Sequence, residues 1–242
     1  MIPILEHAIQ KLLWSAGFEL RRRRDERSEA RRLSLMLLEH AVDLVLDVGA
    51  NTGQFAQSLR RAGYQGRLVS FEPLSIAHKQ LVLAARHDDL WEAFPRVAVG
   101  DHEGDIDIHV SANSFSSSAL DMLVKHEVAA PGSAYVGKER VRLSRLDVLA
   151  REYLEPTAVA YVKIDTQGYE DRVLDGMTGI LDKIRGIQLE LSFVPLYEGQ
   201  QLFDSLVERL RALGFSIWAI WPGICDPESG RMLQVDAIFF RD

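Results

Sequence analysis

The chain has 242 residues, of which 47% are hydrophobic and 26% charged, and its net charge is −7. This length suits one α/β domain, which can bury about 70–75% of its unfolded surface without disulfides or structural metals. The single cysteine, Cys225, excludes an intrachain disulfide framework and a cysteine-rich zinc site, and it fits a cytoplasmic protein.

Charge is unevenly distributed along the chain. The first 40 residues carry a basic run, RRRRDER at 21–27, whereas the remainder is acidic. An acidic body argues against a protein that grips nucleic-acid phosphates. The run could touch a membrane surface or an acidic partner, but arginines paired with nearby acids on a solvated helix face are favoured. No apolar stretch approaches the roughly 20 residues of a membrane-spanning helix, and the first residues lack the order of a signal peptide.

In chain order, two amphipathic helices are predicted first, near residues 5–16 and 25–40. They form an N-terminal helical extension, residues 1–40, that we expect to act in self-association or as a lid on the domain formed by residues 41–242. Strands are predicted at 43–48, 67–72, 95–99, 159–164, 184–191, 215–220 and 233–240. Helices are predicted between most of them, at 53–62, 75–86, 145–153, 168–178 and 200–213. This alternation predicts an α/β fold with a doubly wound, mainly parallel sheet.

Two features interrupt the alternation. Residues 101–111 and 139–144 read as paired strands, and the polar segment between them, 113–137, is predicted to be a long loop. Loops of this length inside a compact domain are usually functional or disordered. At the C-terminus no helix separates the last two strands, so they should form an antiparallel hairpin.

The stretch VLDVGANTGQF, residues 45–55, is the first turn from a strand to a helix. Gly49 and Gly53 permit tight backbone turns and the close approach of a ligand. A dinucleotide site requires G-x-G-x-x-G, but Asn51 stands where the second glycine would be. This departure counts against NAD and FAD.

Two acidic residues favour another cofactor. Asp47 ends its strand, where a carboxylate would repel a pyrophosphate but suits an ammonium or sulfonium group. Glu72 ends the next strand, 25 residues later, where an acid typically accepts hydrogen bonds from ribose hydroxyls. The combined pattern favours S-adenosylmethionine.

Several motifs in the right order resemble the FkbM family of S-adenosylmethionine-dependent methyltransferases. They are VLDVGANTGQF, FEPL, VAVGDHEGD, NSFSSSAL, VKIDTQGYEDRVLDGM, IQLELSFVPLYEG and GRMLQVDAIFFR, and together they cover about residues 40–242. The resemblance implies a class I methyltransferase sheet of strand order 3-2-1-4-5-7-6. It also implies O-methylation, commonly of sugars or polyketide-type products, so that the expected acceptor is a hydroxyl of a sugar, a polysaccharide or glycolipid, or a glycosylated natural product.

The cofactor site is predicted to comprise twelve residues of the turn, of the strand ends and of the serine-rich loop. They are Asp47, Gly49, Ala50, Asn51, Gly53, Gln54, Phe55, Glu72, Pro73, Val99, Gly100 and Ser117.

Two carboxylates are the catalytic candidates. Asp165 follows the fourth core strand and Glu190 lies in the next, so both should face one crevice. They could hold Mg²⁺, which would orient a hydroxyl and lower its pKa, or one of them could act as the general base. The alternative for Asp165 is a helix N-cap, a role that could coexist with catalysis. The sequence DTQGY also departs from the motif of amino-group methyltransferases.

Other polar and aromatic residues carry weaker predictions. His109 is expected to be packed or solvent-facing, while His126 and Ser116–Ser118 could reach a ligand. Tyr197 could wall the acceptor pocket, and Lys163 could pair with Asp165. Trp218 and Trp221 read as packing residues that could also stack on sugars, and Gln234 and Asp236 read as structural. Two other functions remain open: a dinucleotide-dependent oxidoreductase and a non-catalytic binding module.

Overall fold

Strands and helices alternate along residues 28–241, the part of the chain that the structure, a computed structural model, describes. The strands are β1 (Leu44–Val48), β2 (Arg67–Phe71), β3 (Trp91–Ala93), β4 (Ala98–Gly100), β5 (Gly104–Ser111), β6 (Tyr135–Arg145), β7 (Ala160–Ile164), β8 (Ile184–Ser192), β9 (Ser216–Pro222) and β10 (Gln234–Phe240). The α-helices are α1 (Glu29–Glu39), α2 (Gln54–Ala62), α3 (Ser75–Ala85), α4 (Val124–Ala129), α5 (Leu146–Leu149), α6 (Glu170–Asp175) and α7 (Phe203–Ala212). Short 3₁₀ helices span Arg151–Tyr153 and Thr178–Ile180.

The main sheet has seven strands in the order β3-β2-β1-β7-β8-β10-β9. Counted within this sheet, the order is 3-2-1-4-5-7-6, as the family resemblance implies. Strand β10 alone runs against its neighbours, β8 and β9, whereas the other paired strands are parallel. The predicted α/β class, the doubly wound sheet and the C-terminal hairpin are therefore confirmed.

The prediction of a core strand at 95–99 is wrong. The third strand of the main sheet is β3, whose Trp91 pairs with Leu68 of β2, whereas β4 belongs to a second sheet. Pro95 has no N–H to give to a ladder, and exposed Arg96 follows it. At three residues, β3 is too short to show an alternating pattern in the sequence.

The second sheet has the order β4-β6-β5. Strands β5 and β6 pair antiparallel from Gly104 opposite Leu143 to Ser111 opposite Tyr135, which confirms the predicted pairing. Because β6 begins at Tyr135, the long loop is shorter than predicted and contains α4. This loop returns to the sheet where Ser118 bridges His109.

The two faces of the main sheet bury different cores. On β1, Leu44, Leu46 and Val48 pack into one core together with α7. Val45 alternates to the other face, where Leu33 and Leu37 of α1 cover the sheet. On the α1 face, polar residues replace apolar ones near the carboxyl ends of the parallel strands. These polar residues contribute to the site.

Helix α1 confirms the part of the helix predicted at 25–40 that lies within the described residues. Its N-cap, Ser28, accepts a hydrogen bond from the backbone N–H of Arg31 at 3.3 Å. The predicted helix at 5–16 and the run RRRRDER lie outside the described residues, so the self-association or lid role of residues 1–40 stays a prediction. None of the helices within residues 28–241 is long and apolar enough to cross a membrane.

Candidate active site

A cavity of about 410 Å³ opens at the carboxyl ends of the parallel strands, between the sheet and the loop that contains α4. This volume lies within the range of about 300–1,000 Å³ that small-molecule sites occupy. Its wall includes the turn Gly49–Asn51, the end of β2, apolar residues of β4–β6, and Asp165 after β7. The first strand-to-helix turn and the candidate catalytic acid therefore share one cavity.

The glycine turn lies directly against the end of β7. Gly49 has a φ of +76°, and a Cβ at this position would overlap the carbonyl oxygen of Asp165. Gly53 serves another purpose, since its Cβ would fall 2.7 Å from the ring of Trp91. Gly49 thus permits contact between β1 and β7, whereas Gly53 lets α2 pack on Trp91.

Glu72 is held at the cavity wall by two backbone groups. Its Oε2 accepts from the N–H of Asn51 and its Oε1 from the N–H of Leu74, each at 2.8 Å. The residue is 5% exposed, and this burial raises its pKa to about 7 although the two hydrogen bonds oppose the shift. Both oxygens keep lone pairs for ligand hydroxyls.

Backbone strain is concentrated around the cavity. Four non-glycine residues of the described chain have positive φ, and three of them line the cavity: Asn51, Ser114 and Gln167. The amide Nδ2 of Asn51 reaches Ser114 Oγ at 3.4 Å, which ties the glycine turn to the serine-rich loop. Its Oδ1 is buried and finds no donor among residues 28–241. Strained backbone and an unsatisfied carbonyl group are both typical of a ligand site.

Lys163 lies between two carboxylates. Its Nζ is 3.0 Å from Asp165 Oδ2 and 3.6 Å from Asp47 Oδ1. Burial alone would lower the pKa of Lys163, but the two carboxylates outweigh burial and raise the pKa above its ordinary value. Lys163 therefore remains protonated and cannot serve as a base near neutral pH.

Gln167 joins the two candidate catalytic acids. Its Nε2 donates to Asp165 Oδ1 at 2.8 Å and to Glu190 Oε2 at 2.5 Å. The hydroxyl of Tyr197 donates to Gln167 Oε1 at 2.7 Å, which fixes the orientation of the amide. Burial, followed by the charge of Asp165, raises the pKa of Glu190 well above its ordinary value. The N-cap role considered for Asp165 is not observed, since Glu170 accepts from the backbone N–H groups of Thr166 and Gly168.

The two acids do not present a pair of open oxygens to Mg²⁺. A Gln167 N–H group points at each of them, and the ammonium of Lys163 bonds the second oxygen of Asp165. Magnesium requires oxygen ligands in octahedral geometry, and hydrogen-bond donors occupy this space. Among residues 28–241, no group of three or more His, Cys, Asp or Glu side chains is arranged to hold a metal ion.

The structure brings most of the predicted site residues together. Those that line the cavity are Gly49, Ala50, Asn51, Gln54, Phe55, Glu72, Pro73, Val99, Ser117 and Asp165. The four that do not line it are Asp47, Gly53, Gly100 and Glu190. Asp47 is fully buried and accepts a hydrogen bond from Ser70 Oγ at 3.2 Å. Its other oxygen faces the ammonium of Lys163, so its role is to stabilise Lys163.

Sequence reasoning gave little weight to several residues that line the cavity. They are Glu29, Ser114, Phe115, Gln167, Gln188, Trp221 and Asp236. The alternation of residues along the strands could have identified three of the polar residues. Lys163, Gln188 and Asp236 lie on the same face of the sheet as Asp47. Polar residues at the last inward positions of otherwise apolar strands indicate a site at that edge.

The remaining candidates have ordinary surroundings. The ring of His109 packs against that of Tyr135, with the centroids 4.6 Å apart and the planes tilted by 37°, as expected of a packed residue. His126 is buried against the ring of Tyr197 and does not line the cavity. Trp218 packs against Phe240, in accordance with its predicted packing role.

Comparison with known proteins supports the family assignment. The family model described as the methyltransferase FkbM domain matches residues 47–217, well over half of the chain. The chain is also 29% identical, over 181 residues, to the protein named 2-O-methyltransferase NoeI from Sinorhizobium fredii. That match covers 72% of this chain and 73% of NoeI.

Solved structures of methyltransferases resemble the chain more distantly. An rRNA methylase from Streptococcus thermophilus is 12% identical with a TM-score of 0.46, and the match covers 87% of this chain and 94% of that one. A protein described as a putative RNA methyltransferase from Pyrococcus horikoshii is 12% identical with a TM-score of 0.44, with coverage of 88% and 81%.

The family match and the site geometry lead to the same cofactor. The strained glycine turn, the unsatisfied Asn51 carbonyl group and the Glu72 carboxylate fit S-adenosylmethionine, and the family supports it as the methyl donor. The predicted methyltransferase activity is thus confirmed. With a match from the end of β1 into β9, this chain belongs to the FkbM methyltransferase family.

Proposed function

We propose that the protein transfers a methyl group from S-adenosylmethionine to a hydroxyl of a sugar, either free or within a polysaccharide, glycolipid or glycosylated small molecule. The observation that carries this proposal is the single cavity that contains both Glu72 with the glycine turn and the carboxylate of Asp165. The relative from Sinorhizobium fredii, named a 2-O-methyltransferase, supports a hydroxyl as the acceptor.

Glu72 and Asn51 are proposed to hold the donor. The carboxylate of Glu72 would accept hydrogen bonds from the ribose hydroxyls, as acids at this place in the sheet do. The buried Oδ1 of Asn51 would accept a hydrogen bond from a donor group of the cofactor. When bound, S-adenosylmethionine supplies an electrophilic methyl group.

Asp165 is proposed to accept the proton of the acceptor hydroxyl. Its side chain is 31% exposed, at the cavity wall, and each of its oxygens has one donor, Lys163 or Gln167. Two donors fix the carboxylate while each oxygen keeps lone pairs for a hydroxyl proton. Glu190 lies behind Gln167, so we assign it a positioning role.

The predicted Mg²⁺ is not part of this mechanism. A metal ion between Asp165 and Glu190 would require Gln167 to turn away from both acids and to leave Tyr197. The carboxylates would act through hydrogen bonds and proton transfer alone. We accordingly expect the same rate in EDTA and in excess Mg²⁺.

The acidic body of the chain supports a small-molecule or oligosaccharide acceptor rather than a nucleic acid. Self-association through residues 1–40 and a cytoplasmic location remain part of the proposal. Neither bears on the chemistry of the cavity.

The proposal is tested in two steps on the full chain. Thermal unfolding with S-adenosylmethionine, S-adenosylhomocysteine or NAD⁺ comes first, since a ligand at about 100 times its Kd stabilises by about 2.7 kcal/mol. A shift with NAD⁺ alone would support an oxidoreductase and contradict the proposal. Release of S-adenosylhomocysteine is then measured against a panel of glycosides in EDTA. A cofactor-induced shift without turnover on any glycoside would indicate a binding module or another acceptor.

A further inference from the structure

The cavity extends past the glycine turn to a second end, which we call the acceptor end. It is formed by helix α1 and the C-terminal strands, and its polar residues are Glu29, Gln188, Trp221 and Asp236. Ala30 and Leu33 of α1 add apolar surface beside them. These residues lie on the α1 face of the main sheet. The apolar part of the cavity wall is formed elsewhere, by Val97 and by Ile106 and Leu143 of the second sheet.

The acceptor end contains a polar group that lacks a partner. Trp221 is 6% exposed and lines the cavity, yet its indole Nε1–H meets no acceptor within residues 28–241. A buried unsatisfied donor costs about 1–3 kcal/mol, so native proteins seldom retain one without a ligand or water. A hydroxyl or ether oxygen would satisfy this N–H.

Asp236 supplies the complementary acceptor group. Tyr161 donates to Gln188 Oε1 at 3.2 Å, and Gln188 Nε2 in turn donates to Asp236 Oδ1 at 3.1 Å. Gln188 is thereby fixed, and Asp236 is held beside Trp221, its direct partner across the strands. An oriented carboxylate next to an unsatisfied N–H group suits a ligand whose hydroxyls both donate and accept.

The charges along the cavity restrict the ligand further. Its described wall carries four carboxylates, Glu29, Glu72, Asp165 and Asp236, against one cation, Lys163. That cation already contacts Asp47 and Asp165. At the acceptor end, a phosphate or carboxylate group would meet the like charges of Glu29 and Asp236 and find no free cation among the described residues of the wall.

We infer that the acceptor end binds a polyhydroxyl molecule that carries no phosphate or carboxylate group, with Trp221 and Asp236 as its hydrogen-bonding residues. This inference rests on the proposed function, since it names the acceptor of the same site. It predicts that neutral and amino sugars are substrates, while uronic acids and sugar phosphates are discriminated against.

The test compares matched sugars on the full chain with S-adenosylhomocysteine bound. Neutral hexosides, the corresponding uronic acids and the corresponding hexose phosphates are titrated while tryptophan fluorescence is recorded. The contribution of Trp221 is obtained by subtraction with Trp221→Phe, and Trp218→Phe, in the same strand but outside the cavity, is the control. Neutral sugars should change the Trp221 signal at concentrations at least about tenfold lower than the anionic ones.

A charge reversal makes the test sharper. Glu29 and Glu39 are both exposed and lie at opposite ends of α1, but only Glu29 lines the cavity. Glu29→Lys should improve the relative binding of anionic sugars about tenfold, while Glu39→Lys should leave it unchanged. Equal effects of the two variants, a preference for anionic sugars in the native protein, or a Trp221 signal that no neutral sugar changes would each overturn the inference.

The two proposals fail in different ways. If neutral sugars change the Trp221 fluorescence but no S-adenosylhomocysteine is released, the acceptor end is supported and the proposed transfer is contradicted. If neutral sugars are methylated but do not change the Trp221 fluorescence, the proposed transfer is supported and the location of the acceptor end is overturned.

Discussion

The hydroxyl of Tyr197 donates a 2.7 Å hydrogen bond to the side-chain carbonyl oxygen of Gln167, and this bond directs the Gln167 amide toward Asp165 and Glu190. Gln167 has a φ of +56°, a strained conformation for a residue other than glycine. The strained backbone of Gln167 and the fixed orientation of its side-chain amide together position Asp165, the proposed base.

Tyr197→Phe tests this relationship. Without the phenol, Gln167 Oε1 loses its donor, at a cost to folding of about 1–3 kcal/mol. The amide can then rotate, so kcat should fall about tenfold, equivalent to about 1.4 kcal/mol, while the affinity for S-adenosylmethionine stays unchanged. Tyr135→Phe removes a comparable 2.7 Å bond, to the Leu120 carbonyl oxygen, and should leave kcat near the native value. Equal kcat in native protein and Tyr197→Phe would refute a positioning role.

Binding of S-adenosylmethionine should weaken as the pH falls below 7. Burial raises the pKa of Glu72 to about 7, and the ribose hydroxyls require the ionised carboxylate. Protons therefore compete with the cofactor, and Kd should rise by up to about tenfold per pH unit below that pKa. Glu72→Gln should bind weakly at every pH and lose the dependence.

Glu170→Gln is the matched control for this titration. Burial also raises the pKa of Glu170 to about 7, but Glu170 does not line the cavity. The variant should keep the native pH dependence of Kd, measured by calorimetry. A pH-independent Kd in the native protein would remove Glu72 from the cofactor site.

Gly49→Ala should damage both folding and cofactor binding. A Cβ at Gly49 overlaps the Asp165 carbonyl oxygen, so the turn must separate from β7. Gly199 has almost the same φ, +74° against +76°, but open space around it. Gly199→Ala should cost only the left-handed backbone strain, about 1–2 kcal/mol, and leave Kd unchanged. Gly49→Ala should cost more in denaturant unfolding, and Kd should rise at least about tenfold. Equal losses of stability in the two variants would contradict the close contact.

Asp47→Asn separates support of the site from direct contact with the cofactor. Because Asp47 lies behind the cavity wall and pairs with Lys163, the variant should lower the free energy of unfolding by about 1–3 kcal/mol. The affinity for S-adenosylmethionine should stay within about threefold of native, less than 1.4 kcal/mol. Loss of affinity at unchanged stability would show that Asp47 touches the cofactor, as its place in the motif first suggested.

The sequence predicted the order of the sheet, and most of the residues that it assigned to the cofactor line one cavity, because both depend on local signals. Strands β1, β7 and β8 are mostly apolar, with polar residues only at a few positions such as Asp47, Lys163 and Gln188. The glycine turn and Glu72 follow β1 and β2 directly. The strand β3 was misplaced because three residues are too few for a periodic pattern. The sequence places Asp165 and Glu190 near the ends of neighbouring strands, which is compatible with metal binding. The Gln167 amide lies between them because of a strained turn, and no sequence pattern predicts that turn.

The acceptor end was harder to predict, because its residues are distant in sequence. Glu29, Gln188, Trp221 and Asp236 come from one helix and three strands, and each resembles an ordinary surface or packing residue when viewed alone. Register brings them together: Asp236 lies opposite both Glu190 and Trp221 in neighbouring strands. Pairing of this kind depends on tertiary structure, which single-sequence patterns do not contain.

Transfer of a labelled methyl group tests sugar O-methylation with Asp165 as the base. Native protein and Asp165→Asn are given S-adenosylmethionine with a labelled methyl group and neutral glycosides in EDTA, and the products are identified by mass spectrometry. The native protein should place the label on a sugar hydroxyl, while Asp165→Asn should bind the cofactor normally and transfer at least about 100-fold more slowly. Unchanged transfer by Asp165→Asn would contradict the role of Asp165 as the base. The absence of labelled sugar from a native protein that binds the cofactor would contradict a sugar acceptor.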